Sequence, residues 1–193
     1  MKEPIFAKVL RRFRISKILP YINKGDVVAD IGCGWEAKAL RYLAPKISKG
    51  FGIDLKVEQT TLPPQIQVVT QRFENFPWPI DEQSCDVILM LAVLEHIDGT
   101  LVDKVLQNVR RLMRPNSKFL LTVPTPLSKP ILEFLAYKLR IVNAAEIRDH
   151  KIYYDRKLLT ESLERNGFRV ATYGRFQFGL NSFCVAEKVA AVT

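Results

Sequence analysis

Two glycines flank a cysteine at Gly32-Cys33-Gly34, directly after the run Val28-Ala29-Asp30-Ile31, and Asp54 stands twenty positions beyond Gly34. Glycine lets the backbone turn sharply and approach a ligand with no Cβ in the way. A carboxylate at the tip of the next strand accepts hydrogen bonds from ribose hydroxyls. The pair describes a nucleotide-type ligand site at the carboxyl edge of an α/β sheet, or else a tight strand-to-helix turn beside a surface aspartate. The chain has two histidines, His96 and His150, whose ordinary pKa near neutrality suits general-base work. Glu95 adjoins the first, and Asp149 and Lys151 flank the second. His96 is equally suited to capping or packing a turn, and His150 to a solvated loop.

These residues need a frame that brings them to one edge. Residues 26–31 read as a buried strand and residues 36–44 as a helix stopped near Pro45. Residues 51–55 and 66–71 read as strands two and three, with an abbreviated crossover between them because Pro63-Pro64 and the short spacing leave little room for a helix. Residues 86–94 are almost continuously apolar and read as a central fourth strand buried on both faces, which puts His96 just past its end. Thr100 and Asp103 read as a capping pair for a helix running to Arg114-Pro115-Asn116. A fifth strand is expected over residues 118–123, an apolar and basic insertion over 128–142, and a helix over 158–166 ended by Gly167. Strands over residues 168–173 and 183–187 would close the chain as a hairpin. This alternation is that of an α/β fold. It is read as a basic amphipathic helix over residues 1–24, packed on a domain over residues 25–193 with a lid at about residues 124–154.

A length of 193 residues fits one domain. Hydrophobic residues at 48% and charged residues at 25% set aside a disordered tail or a disulfide mini-protein. The net charge is +9, and residues 1–24 hold seven basic residues against Glu3 alone, so the excess is local. A nucleic-acid groove across the whole fold is therefore not expected. Cys33, Cys85 and Cys184 lie far apart without Cys-x-x-Cys spacing, so neither a disulfide framework nor a metal centre is expected. The longest uncharged apolar run, residues 87–94, falls far short of the roughly twenty residues of a membrane span. Basic residues interrupt the stretch where a signal peptide would be apolar. The expectation is a cytoplasmic protein. Its amphipathic start and residues 127–142 offer either solvated basic faces or a peripheral membrane contact.

Five motifs occur in order: Asp-Ile-Gly-Cys-Gly at positions 30–34, Phe76-Pro77 before Ser84-Cys85-Asp86-Val87-Ile88, Val93-Leu94-Glu95-His96, Arg111-Leu112-Met113-Arg114-Pro115-Asn116, and Asn166-Gly167-Phe168. In them the sequence resembles the class I S-adenosylmethionine-dependent methyltransferases, more closely the small-molecule group with the ubiquinone-biosynthesis type enzymes. The resemblance spans roughly residues 24–188. It implies a doubly wound, Rossmann-like α/β fold with a seven-stranded sheet in the order 3-2-1-4-5-7-6, strand 7 antiparallel. It also implies S-adenosyl-L-methionine as cofactor. Asp30, Gly32 and Gly34 would shape the pocket for its methionine part, Asp54 would hold the ribose, and Phe73 would wall the adenine. Cys33, Leu55, Arg72 and Leu91 complete the expected cofactor-contacting set. The sequence departs from the family at Arg72, where an acidic residue is usual, and at Trp35-Glu36, where a small residue is usual.

Methyl transfer from a sulfonium is a direct displacement, which chiefly requires alignment in a dry pocket. His96 and His150 are the catalytic candidates for a hydroxyl acceptor. The expected activity is methylation, at oxygen or carbon, of a small-molecule or lipid-linked acceptor. An RNA methyltransferase is the first rival, supported by the basic N-terminus. Against it, no Asp/Asn-Pro-Pro-Tyr segment follows strand four, and Cys85 lies at the wrong end of its strand for a nucleophile. A non-catalytic S-adenosylmethionine-binding domain is the second rival. A nicotinamide-dependent oxidoreductase is opposed by the missing third glycine and the terminal hairpin.

Overall fold

The β-branched and apolar runs form seven strands in the computed structural model, which describes residues 5–58, 62–137 and 147–189. They are β1 (Val27–Ile31), β2 (Lys49–Asp54), β3 (Ile66–Thr70), β4 (Cys85–Leu91), β5 (Met113–Pro124), β6 (Phe168–Phe176) and β7 (Asn181–Lys188). One sheet holds them in the order β3-β2-β1-β4-β5-β7-β6. Neighbours from β3 to β5 are parallel, while β7 runs antiparallel to β5 and β6. Order and direction are those the family resemblance implies. β4 is buried at Cys85, Val87, Ile88, Leu89 and Met90, so its unbroken apolar sequence reflects burial on both faces.

Among the described residues the helices include α1 (Ile5–Ile18), α2 (Lys38–Leu43), α3 (Val102–Leu112), α4 (Ser128–Tyr137) and α5 (Arg156–Arg165). One core joins the sheet to α3 through Val102, Val105, Leu106, Val109 and Leu112, and to α5 through Leu159 and Leu163. The three- and four-residue spacing in α3 puts those side chains on one stripe. The second core contains Ile18, Ile22, Leu40 and Leu43 against Val28, Val87, Leu89 and Leu120. No helix among the described residues is long and apolar enough to cross a membrane.

Several local expectations are corrected. Thr100 does not cap α3, because its amide and hydroxyl both donate to Asp98 Oδ1, at 2.9 and 2.6 Å. Asp103 instead accepts from Asn166 at 2.8 Å and Arg165 at 3.0 Å, tying α3 to the end of α5. α3 stops at Leu112 and β5 begins at once, five residues before the expected Lys118. No helix lies between β2 and β3 among the described residues. Residues 138–146 of the expected lid fall outside the described residues. Because β1 to β5 are parallel, the segments after Ile31, Asp54, Thr70, Leu91 and Pro124 emerge at one edge. Cys85 begins β4 and lies at the opposite edge.

Candidate active site

At that edge the chain leaves β1 through Gly32 and Gly34, with φ of +82° and +73°. Amides of Gly32 and Cys33 donate to the Ile53 carbonyl at 2.7 and 3.2 Å, stitching the turn to β2. The Gly34 amide donates to Asp54 Oδ2 at 2.9 Å. A Cβ at Gly32 would stand 2.2 Å from Val93 Cγ2, whereas a Cβ at Gly34 meets nothing within 4 Å. Gly32 is thus demanded by packing, and Gly34 opens onto free space. Two residues earlier, Asp30 is buried and its Oδ1 has no hydrogen-bond partner among the described residues. Burial, then the neighbouring Asp54, pushes its pKa up to about 7.

Other expected cofactor residues divide into two sets. Leu55 and Arg72 line a cleft of about 550 Å³ together with Thr70, Gln71, Asn75 and Phe76, at the ends of β2 and β3. Arg72 also pairs with Glu74 at 3.4 Å. Phe73 is half-buried and packs on the core, and its carbonyl accepts from Trp78 Nε1. The Cys33 side chain is in the core, where burial pushes its thiol pKa up. Leu91 ends β4 half-buried. Trp35 is exposed, and the left-handed conformation that a further glycine would suit is taken by buried Ala37, φ +46°.

Beyond β4 the backbone turns at Ala92, φ +59°, into a 3₁₀ turn over Leu94–His96. The Glu95 carbonyl accepts from the amides of Lys151 at 2.7 Å and Ile152 at 3.3 Å. That clasp brings the histidines together, with ring centroids 4.8 Å apart and edge to face. His96 Nδ1 lies 3.2 Å from Asp149 Oδ2, and His150 Nδ1 lies 3.0 Å from the Tyr153 hydroxyl. Lys129 of α4 stands 6.0 Å over the Tyr153 ring. Glu95 is buried, its Oε2 has no hydrogen-bond partner among the described residues, and burial raises its pKa to about 7. Burial, then the charge of His96, lowers His150 to about 4 and keeps it neutral at pH 7. Tyr154, by contrast, is buried in the core. The sequence reading missed Asp149 and Arg14 as parts of this cluster. For Asp149 the signal was adjacency to His150; for Arg14, which acts electrostatically on Glu95 and His150, there was none.

A family model described as a methyltransferase domain matches residues 5–173. The chain belongs to that methyltransferase family. It is an S-adenosylmethionine-dependent methyltransferase. No curated protein matches the sequence. Among solved structures, a chain of the complex between the Haloferax volcanii Trm112 methyltransferase activator and a protein assigned as a methyltransferase is 15% identical, with a TM-score of 0.71 over 98% of this chain and 100% of that one. An S-adenosylmethionine-dependent methyltransferase from Mesorhizobium loti is 13% identical, with a TM-score of 0.69 over 93% and 98% of the two chains. The Burkholderia thailandensis 1,6-didemethyltoxoflavin-N1-methyltransferase, solved with 1,6-didemethyltoxoflavin and S-adenosylhomocysteine, is 16% identical, with a TM-score of 0.68 over 94% and 79%. At such identities the likeness shows the shared fold.

The methyltransferase's own residues fit its cofactor. S-adenosylmethionine carries an ammonium, a sulfonium, a ribose and an adenine. Asp30 supplies an unpartnered buried carboxylate oxygen beside the glycine turn, Gly34 leaves the space of a side chain open, and Asp54 stands where the turn meets β2.

Proposed function

We propose that this methyltransferase transfers the cofactor's methyl group to an oxygen or carbon nucleophile of a small-molecule or lipid-linked acceptor seated against Glu95, His96 and His150. The observation that carries this reading is the joining of two half-sites at one sheet edge. Val93 packs on Gly32 of the cofactor turn and stands two residues before Glu95. Bound S-adenosylmethionine supplies an electrophilic methyl, and the protein aligns the acceptor for displacement in a water-poor pocket. In this reading Asp30, Gly32 and Gly34 shape the methionine pocket and Asp54 holds the ribose. Leu55, Arg72 and Phe73 flank the adenine side, while Cys33 and Leu91 back the pocket from turn and strand. His96 and His150 serve the loss of the acceptor's proton. Leu127, Ile131 and Phe134, exposed on and just before α4, favour an apolar or lipid-linked acceptor.

The test is transfer of labelled methyl from S-adenosylmethionine to a panel of phenols, hydroxy acids, isoprenoid-linked acceptors and total RNA. Label in a solvent-extractable product is expected, and His96→Ala and His150→Ala should each lower kcat by about 10²–10⁴-fold while leaving S-adenosylhomocysteine affinity unchanged. Label in RNA alone would overturn the acceptor class.

A further inference from the structure

Two cationic side chains reach the histidine cluster from different helices. α1 carries Lys8, Arg11, Arg12, Arg14 and Lys17 and no acid. Ile15 and Ile18 anchor it as buried residues, and the Lys17 ammonium stands 5.9 Å over the Phe176 ring at the end of β6. Arg14 is thereby held half-buried, where its charge acts on both the Glu95 carboxyl and the His150 imidazole. From α4, the Lys129 ammonium lies 6.0 Å over the ring of Tyr153, whose hydroxyl meets His150 Nδ1 at 3.0 Å. We propose that Arg14, aided by Lys129, makes this cluster select an acceptor that carries a carboxylate or phosphate close to the hydroxyl to be methylated. The inference rests on the cluster being the acceptor's seat.

The charges around the cluster suit an anion. Asp149 is already matched, by Lys151 Nζ at 3.1 Å and His96 Nδ1 at 3.2 Å. His150 is neutral at pH 7, and Glu95, its pKa raised by burial to about 7, is ionised only in part there. The guanidinium of Arg14 and the ammonium of Lys129 outweigh that partial charge. A seat of one sign concentrates ligands of the other.

Side-chain chemistry narrows the kind of anion. A guanidinium presents a planar fork of donors that matches a carboxylate or a phosphate. Glu95 supplies a second point of contact: it is 1% exposed and its Oε2 has no hydrogen-bond partner among the described residues. A buried carboxylate oxygen left unpaired is costly, and an acceptor hydroxyl donating to it removes that cost. A hydroxyl on Glu95 and an anion on Arg14 fix two points of one small molecule, which orients its nucleophile. Ile131 and Phe134, exposed on the same helix as Lys129, then meet its apolar part.

The test pairs probes that differ chiefly in charge: β-hydroxyoctanoate against its methyl ester for the carboxylate, and octylglycerol phosphate against octylglycerol for the phosphate. Each is titrated calorimetrically into the full chain saturated with S-adenosylhomocysteine. At least one anionic probe is expected to bind about 10–100-fold more tightly than its neutral counterpart, and the pair that shows the preference names the anion. Arg14→Gln should erase the preference, Arg14→Lys should restore part of it, and Lys129→Gln, at an exposed position, should reduce it by a smaller factor. Equal binding of charged and neutral probes by the wild type, or a preference that survives Arg14→Gln, would overturn the proposal. S-adenosylhomocysteine affinity is expected to stay unchanged in these variants; if Arg14→Gln loses it too, the role of Arg14 is structural and the proposal falls. His150→Ala separates the failures. Probes that bind without regard to charge yet lose affinity in His150→Ala remove the Arg14 role and leave the acceptor's seat. Binding of no probe, or binding indifferent to His150→Ala, strikes the seat and the inference with it.

Discussion

Asp54 shapes the glycine turn through the Gly34 amide, and in the function proposed above it also holds the ribose. Charged hydrogen bonds are worth about 1.5–3 kcal/mol, so Asp54→Ala should weaken S-adenosylhomocysteine binding by about 10–100-fold while the protein stays folded. Calorimetry and circular dichroism on the same sample check both halves. The two glycines should part company. Gly32→Ala drives a methyl group into Val93 and should cost about 1–3 kcal/mol of stability. Gly34→Ala meets open space in the fold but puts a Cβ on a backbone at φ +73°, so it should cost about 1–2 kcal/mol of stability through the left-handed conformation as well as act on cofactor affinity. At this scale the sequence was informative because the chemistry is local: the turn and Asp54 belong to one strand-turn-helix-strand unit. It was less informative about how Phe73 sits, half-buried with its ring against the core, since the facing of a lone aromatic depends on tertiary packing.

Elements were legible where hydrophobic period was strong. α3 shows its stripe plainly, and Leu106, fully buried on it, should cost about 2–5 kcal/mol when changed to alanine, read by urea denaturation. Asp103→Ala should cost only about 1 kcal/mol, because it removes the polar tie to Arg165 and Asn166 at the rim. Reversal of that ranking would show that α3 is held at its end rather than by its stripe. The start of α3 was misread because Thr100 and Asp103 have capping spacing, and spacing does not reveal that Asp98, two residues before Thr100, takes the hydroxyl first.

For the whole molecule, Asp30 makes stability depend on pH. Its pKa rises from 3.8 to about 7 on folding, so the folded state binds a proton that the unfolded state has lost. That contribution is complete below about pH 4 and disappears as pH rises through about 7, with a slope approaching about 1.4 kcal/mol per pH unit. Relative to Asp30→Asn, the ligand-free protein should therefore lose stability between pH 4 and 7, measured by denaturant titration at each pH. Sheet order followed from motif order along the chain. The acceptor side did not, because His96 and His150 lie more than fifty residues apart and meet through a backbone contact that no local pattern announces. That contact is a single carbonyl, Glu95, carrying the amides of Lys151 and Ile152. Release of this one acceptor would leave the two segments joined by side chains alone, His96 on Asp149 and the imidazoles edge to face, while the glycine turn, bonded separately to Ile53, kept its shape. The histidine cluster can thus loosen while the glycine turn stays closed, and native-state hydrogen exchange should show the amides of Lys151 and Ile152 opening together, ahead of those of Gly32 and Cys33.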